Sequence, residues 1–218
     1  MKQLVVAIDG PAGAGKSTVA QIAAEKLGYT YIDTGAMYRG VAWKALQQGG
    51  KVTDARILDV VRDIDIILRY EGGRTTVTVD GTDVTGLIRT PEISHIVSQV
   101  ARLGPVREKM VALQRKMAEQ GAVLMDGRDI ATNVLPNADV KIYLTASIEE
   151  RARRRCKELQ EKGHEVSLAE IQADIAARDK ADMEREISPL VRADDAVLLD
   201  TTGMSIETVV SKILEMCR

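Results

Sequence analysis

Leu4-Val5-Val6-Ala7-Ile8 is an unbroken apolar run closed by Asp9, the pattern of a short strand covered on both faces. Glycines then punctuate residues 10 to 15. From Ser17 to Leu27 the period changes: Val19, Ile22, Ala23 and Leu27 fall on one side of a helix, and Gly28 suits its C-terminus. Tyr29 to Ile32 predicts a second strand, and Gly35 to Gln48 a second helix stopped by Gly49-Gly50, with Met37, Val41, Trp43 and Ala45 placed for core packing. This alternation predicts a parallel sheet with helices packed on it.

The rhythm then breaks. Ile64 to Tyr70 and Thr75 to Asp80 read as strands around Gly72-Gly73, and Asp80-Gly81 is a two-residue hairpin signal leading into Thr82-Asp83-Val84. Residues 63–88 therefore read as a small antiparallel insertion. Thr90-Pro91 opens a helix, with Thr90 as cap and Pro91 in the first turn. Gly104-Pro105 opens another that ends near Gly121. Buried-strand runs return at Ala122–Met125, Val140–Leu144 and Ala196–Leu199. Ser147-Ile148-Glu149-Glu150 and Ser167-Leu168-Ala169-Glu170 match the capping box, and Ser205 to Cys217 closes the chain as a helix. The expected fold is a single three-layer α/β domain: five parallel strands, helices on both faces, and one inserted meander.

Composition narrows this little. A chain of 218 residues, 45% hydrophobic and 28% charged, can bury a core without disulfide or metal staples. Phe is absent, so the core must be aliphatic. No apolar run approaches a bilayer span, and Leu4–Ile8 is too short for a signal-peptide core. A net charge of −2 gives no case for nucleic-acid binding. Cys156 and Cys217 stand far apart and outside any CxxC or Cys/His cluster, which predicts free thiols, a reducing cytoplasm and no zinc site.

Chemistry enters with Gly10-Pro11-Ala12-Gly13-Ala14-Gly15-Lys16-Ser17, a complete GxxxxGK[ST] phosphate loop between a predicted strand and a predicted helix. Its glycines let successive N–H groups curl toward phosphate oxygens, and the helix adds its positive end. Lys16 is placed for the β- and γ-phosphates of ATP and the Ser17 hydroxyl for Mg²⁺. No NKxD occurs, which argues against a GTPase; Val123-Leu124-Met125-Asp126 offers one acid rather than the adjacent acids of a large ATPase.

Arginines recur near the predicted C-terminal ends of the strands, where open α/β sheets bind ligands. A lone arginine is usually a solvated charge; several placed together beside a phosphate loop are not. Arg39, Arg107, Arg128, Arg178 and Arg185 lie along these segments, and Arg151, Arg153, Arg154 and Arg155 crowd one helix. Two phosphorylated substrates brought face to face need several fixed cations besides Mg²⁺. A phosphate acceptor is already an anionic nucleophile and needs no base. None is evident, since His95 and His164 have no partner pattern. That combination points to a nucleoside monophosphate kinase. A kinase for UMP or AMP, and a nucleotide-gated binding protein, stand as alternatives.

The sequence resembles the bacterial cytidylate kinase family over essentially its whole length. The resemblance is carried by residues 8–18, Asp33-Thr34-Gly35-Ala36-Met37-Tyr38-Arg39, Ile88–Glu92, Ser98–Ala101, Asp126-Gly127-Arg128-Asp129, Arg151–Arg154, and 178–185 with Ser188-Pro189-Leu190. It implies transfer of the ATP γ-phosphoryl to CMP or dCMP. Residues 10–17 with Thr18 would hold ATP; Lys16, Arg128 and Arg185 would carry the transfer. Ser98, Arg107 and Asp129 would read cytosine, and Arg178 and Asp182 the ribose. Arg39, Arg128 and Arg185 would clamp the acceptor phosphate, with Thr34 and Tyr38 completing the pocket. Ser17, Asp33 and Asp126 are the candidates around Mg²⁺, the two carboxylates through bound water. The 147–165 segment is expected to act as a lid, with Arg151, Arg154 and Arg155 reaching ATP. A monomer is expected, with no nucleic-acid or membrane partner.

Overall fold

The computed structural model describes residues 3–161, 163 and 165–218. The chain runs through β1 (Val5–Asp9), α1 (Lys16–Leu27), β2 (Thr30–Asp33), α2 (Thr34–Gln47) and α3 (Asp54–Asp63). Three short strands follow, β3 (Ile66–Glu71), β4 (Arg74–Val79) and β5 (Thr82–Asp83), then α4 (Pro91–Ala101) and α5 (Gly104–Ala118). Next come β6 (Val123–Gly127), a π-helical turn at Ile130–Val134, β7 (Val140–Thr145), α6 (Ile148–Glu161) and α7 (Leu168–Glu184). β8 (Val197–Asp200) and α8 (Ile206–Met216) complete the chain.

The five-stranded sheet has the order β2-β6-β1-β7-β8 and is parallel throughout, while β3-β4-β5 form a separate antiparallel sheet. Alternation along the central strands sends successive side chains to opposite faces. Val6, Ile8, Leu124, Ile142 and Leu144 pack with Val19 and Ala23 of α1 and Val209 and Ile213 of α8. Ala7, Val123 and Met125 face the other way, against Val111 and Ala118 of α5. Both faces are thus covered, which is why β1 and β6 carry no polar interruption before their C-terminal ends.

A third aliphatic cluster binds the small sheet to the body: Val77, Val79 and Ile66 pack with Met37, Val41 and Ala45 of α2 and Ile57, Val60 and Val61 of α3. Helix α3 was not among the expected elements. Its signal lies in Thr53, whose side chain accepts from Arg56 N, and in the i, i+3, i+4 spacing of the buried positions 57, 60 and 61. Ala122 falls outside β6, at φ 50°, and β6 runs on through Asp126 to Gly127. The Ser167 capping box is complete. At Ser147 only half forms: Glu150 N donates to Ser147 Oγ at 3.2 Å, but the Glu150 carboxylate accepts from Arg154 Nε at 2.9 Å.

Register places the chemistry. Asp9 stands opposite Gly127, and Asp33 opposite Asp126. Three strands therefore end in carboxylates along one edge of the sheet, beside the loop that leads into α1.

Candidate active site

The 10–15 loop backs directly onto β7. A Cβ built on Gly10, which sits at φ 148°, would lie 1.9 Å from the Leu144 carbonyl oxygen. Only glycine fits this close approach of two backbones. Gly10→Ala is expected to cost at least about 2 kcal/mol and to remove phosphate binding, read by thermal unfolding and ATP calorimetry. Lys16 arches back into the loop, donating from Nζ to Gly10 O at 2.7 Å and Pro11 O at 2.8 Å. Burial, helped by the nearby Arg128 cation, pushes its pKa down to about 7. A cation held at this cost is poised for an anion. Thr18 is exposed on the outer side of α1, lining an open groove of about 600 Å³ with Ser17, Gln21, Arg74 and Arg89.

Beside the loop lies a corner of oxygen donors. Asp126 Oδ2 accepts from Ser17 Oγ at 3.0 Å and Oδ1 from the Tyr31 hydroxyl at 2.8 Å, while Thr34 Oγ1 donates to the Asp126 carbonyl at 2.7 Å. Burial and then the Asp33 charge push the Asp126 carboxyl up to about 6. Asp33 caps α2 through Ala36 N at 3.0 Å and pairs its other oxygen with Arg89 at 2.6 Å. Among the described residues no group of three His, Cys, Asp or Glu side chains could by itself hold a metal. One hydroxyl and two carboxylates fit Mg²⁺, which takes few protein ligands and keeps several waters.

Opposite the loop the arginines converge. Arg39 reaches Ile88 O at 3.3 Å and Ser94 Oγ at 3.0 Å. Burial and the neighbouring Arg178 push its pKa down to about 9. Arg178 is itself pushed down to about 10 by burial and then Arg128, and its Nε has no partner. Arg128 donates from Nε to Asp182 at 2.8 Å. Burial works against the charged Asp182, but the Arg128, Arg178 and Arg185 cations together outweigh it and hold the carboxyl below its ordinary value.

Two of the three base-reading candidates, Arg107 and Asp129, also meet. Asp129 follows Arg128 off the end of β6, and the buried Arg107 of α5 donates to its Oδ2. Arg185 at the end of α7 lies 3.4 Å from Oδ1 and donates from Nε to Ser188 O at 2.6 Å. The Arg107 guanidinium stands over the Tyr38 ring, 5.6 Å from its centroid, and Arg107 Nε has no partner. Ser98 sits half-buried on α4.

The three lid arginines have three different fates. Arg151 is buried, donating to Ala12 O at 2.8 Å, Ala146 O at 2.9 Å and Asp179 at 2.6 Å. Arg154 binds Glu150 and the Thr201 carbonyl, the latter at 2.8 Å. Arg155 pairs with Glu158 at 2.7 Å and lies close enough to Arg39 and Arg178 to depress both. His164, in the same segment, lies outside the described residues. Several contributors escaped the sequence reading. Asp179 accepts from Ala12 N at 3.1 Å while bridging to Arg151, and Asp9 accepts from Ile130 N and Ala131 N at 2.8 Å each. Tyr31 and Arg89 bind the two carboxylates of the metal corner. Tyr31 and Asp179 read as ordinary strand and helix positions, because their partners are distant in sequence.

A family model described as "Cytidylate kinase" matches residues 6–218. The cytidylate kinase of Desulfitobacterium hafniense is 55% identical over 99% of this chain and 93% of its own length. That of Bacillus subtilis is 54% identical over 98% and 96%. A gluconokinase from Sinorhizobium meliloti superposes with a TM-score of 0.50 at 15% identity, covering 98% of this chain and 90% of its own, a likeness of fold alone.

Proposed function

This chain belongs to the cytidylate kinase family and is a nucleoside monophosphate kinase acting on CMP or dCMP, and on that premise we propose how its side chains divide the work of phosphoryl transfer. The backbone N–H groups of residues 10–17 hold the ATP phosphates, and Lys16 leaves the Gly10 and Pro11 carbonyls to meet the β- and γ-oxygens. Ser17 stands closest to the metal position, with Asp126 and Asp33 behind it holding water. Mg²⁺, when bound there, neutralises charge on the ATP phosphates.

Arg39, Arg128 and Arg185 grip the acceptor phosphate. Arg178 and Asp182 hold the ribose. Asp129 accepts from the exocyclic amine of cytosine, while Arg107 and Ser98 donate to N3 and O2; the Tyr38 ring walls the pocket. An acceptor phosphate oxygen attacks the γ-phosphorus in line, the bond from that phosphorus to the β–γ bridging oxygen breaks, and ADP leaves. No base is needed, because the attacking oxygen is already ionised. Catalysis is positioning and charge neutralisation.

The observation that carries this reading is the crowding of buried cations beside a buried phosphate-loop lysine: burial and then Arg178 lower Arg39, and burial and then Arg128 lower Arg178. Such crowded cations are costly until multiple phosphates arrive. Arg155 is the arginine of α6 that reaches this space, and the 147–165 segment that contains α6 acts as the lid. Two free cysteines support a reducing cytoplasm. We read the protein as a monomer with small-molecule partners. No helix among the described residues is long and apolar enough to cross a membrane.

The test is ADP release with Mg-ATP and a panel of CMP, dCMP, UMP, AMP, GMP and shikimate. Turnover centred on CMP and dCMP is expected. Turnover centred on another acceptor would retain the phosphate-loop roles and overturn the base pocket. ATP-dependent retention of a protein partner with no transfer to any acceptor would favour a nucleotide-gated binding protein.

A further inference from the structure

The two oxygens of Asp129 are not equivalent. Oδ2 receives both Arg107 and the Asn133 amide, the latter at 3.0 Å. Oδ1 has Arg185 at 3.4 Å, beyond the distance of a strong charge-assisted bond. Asn133 stands four residues after Asp129, on the π-helical turn. That turn is closed by Asn133 N to Asp129 O at 2.9 Å, Val134 N to Asp129 O at 3.1 Å and Leu135 N to Ile130 O at 2.7 Å. Asp9 ties the same turn to β1 through Ile130 N and Ala131 N. A carboxylate only accepts, so the end of the Asn133 amide that faces it is the NH₂. The π-helical turn is therefore anchored at its base and carries a donor aimed back at the residue that introduces it.

We propose that Asn133 is a positioning residue for base choice: by donating to Asp129 Oδ2 it fixes the carboxylate so that Oδ1 meets the exocyclic amine of cytosine. This rests on the reading of Asp129 as the base-reading carboxylate. The terminal torsion of an aspartate is broad and nearly two-fold. Arg107 alone leaves the carboxylate free to swing about that contact. A swinging carboxylate turns away from O4 of uracil and accepts from uracil N3–H instead. A carboxylate pinned at Oδ2 keeps Oδ1 against O4, and two acceptors face each other unpaired, which is the penalty that excludes the keto base. Asn133 touches no substrate atom in this account; it acts through Asp129.

The test compares Asn133→Leu, Asn133→Asp and, in parallel, Asp129→Asn, measuring kcat/KM for CMP and for UMP together with KM for ATP. Leucine keeps the volume and removes the donor. Aspartate keeps the shape and sets an acceptor against Oδ2. Asn133→Leu is expected to lower the CMP-over-UMP ratio roughly fivefold, the size of one modest hydrogen bond, through KM for CMP, with KM for ATP within about twofold. Asn133→Asp should lower the ratio further, and it decides the matter alone if the leucine variant does not fold. An unchanged ratio in a folded Asn133 variant, alongside lost discrimination in Asp129→Asn, overturns the role of Asn133 and leaves that of Asp129 standing. Retained discrimination in Asp129→Asn overturns both.

Discussion

Lys16→Ala is expected to lower kcat by about 10³-fold or more, the scale of losing a principal transition-state donor, while the protein remains folded. The ammonium is buried inside the phosphate loop, satisfied by two backbone carbonyls of that same loop. Among the described residues it makes no ion pair. Burial already pushes it toward its neutral form, at about 7, so its removal relieves a desolvation cost and spares the aliphatic core. Its charge gains full value when phosphates enter the loop and the transferring group develops charge within reach of Nζ. Single-turnover ADP release with ATP binding by calorimetry separates the two contributions. Turnover within tenfold of the parent would assign Lys16 to closing the loop rather than to the transfer.

Arg151→Ala is expected to act on stability first. Its guanidinium links three parts of the molecule: the Ala12 carbonyl in the phosphate loop, the Ala146 carbonyl before α6, and Asp179 on α7. Asp179 in turn accepts from Ala12 N. Removing one partner of a buried pair leaves the other uncompensated, at a cost of about 3 kcal/mol or more. For a chain of this length that is a fall in Tm of roughly 6–12 °C. Binding of ATP should weaken as a consequence, because the loop loses the Arg151 contact with its Ala12 carbonyl and keeps only the Asp179 contact with Ala12 N. Arg155→Ala is the contrast. Arg155 is on the same helix but, among the described residues, pairs with Glu158 and lies near Arg39 and Arg178, so turnover should fall while Tm moves by less than about 2 °C. A normal Tm for Arg151→Ala with a raised KM for ATP would show instead that this arginine contacts the nucleotide.

These two arginines mark where sequence reading stops. Arg151, Arg154 and Arg155 look alike as members of one basic helix. Positions three and four apart share one face of a helix, and what separates them is the partner each finds: Ala12, Ala146 and Asp179 hold the first, Glu150 and Thr201 the second, and Glu158 the third. Pairing decides which positive charge is spent on holding the fold and which is left for substrate. Similarly, Asp33 is legible both as a cap for α2 and as a metal-corner carboxylate. Tertiary structure adds a third demand, Arg89, which arrives from the far side of the small sheet. Helix α3 shows the opposite kind of miss. Its cap and apolar spacing are local and lie at Thr53, Ile57, Val60 and Val61, in the stretch between Gly49-Gly50 and Ile64 to which no element is assigned from the sequence.

What the sequence determined on its own is what short-range physics encodes. Apolar runs bounded by glycine specified the central strands, Asp80-Gly81 the hairpin, Thr90-Pro91 and Ser167-Glu170 the helix starts, and GxxxxGK[ST] the phosphate loop, because each depends on side chains only a few residues apart. Tertiary structure alone decided the pairings across the chain. Ser17 and Tyr31 meet at Asp126 over separations of 109 and 95 residues. Arg128 finds Asp182 across 54 and Arg107 finds Asp129 across 22. No local period encodes such contacts: they follow from strand order, register and the packing of helices on a parallel sheet.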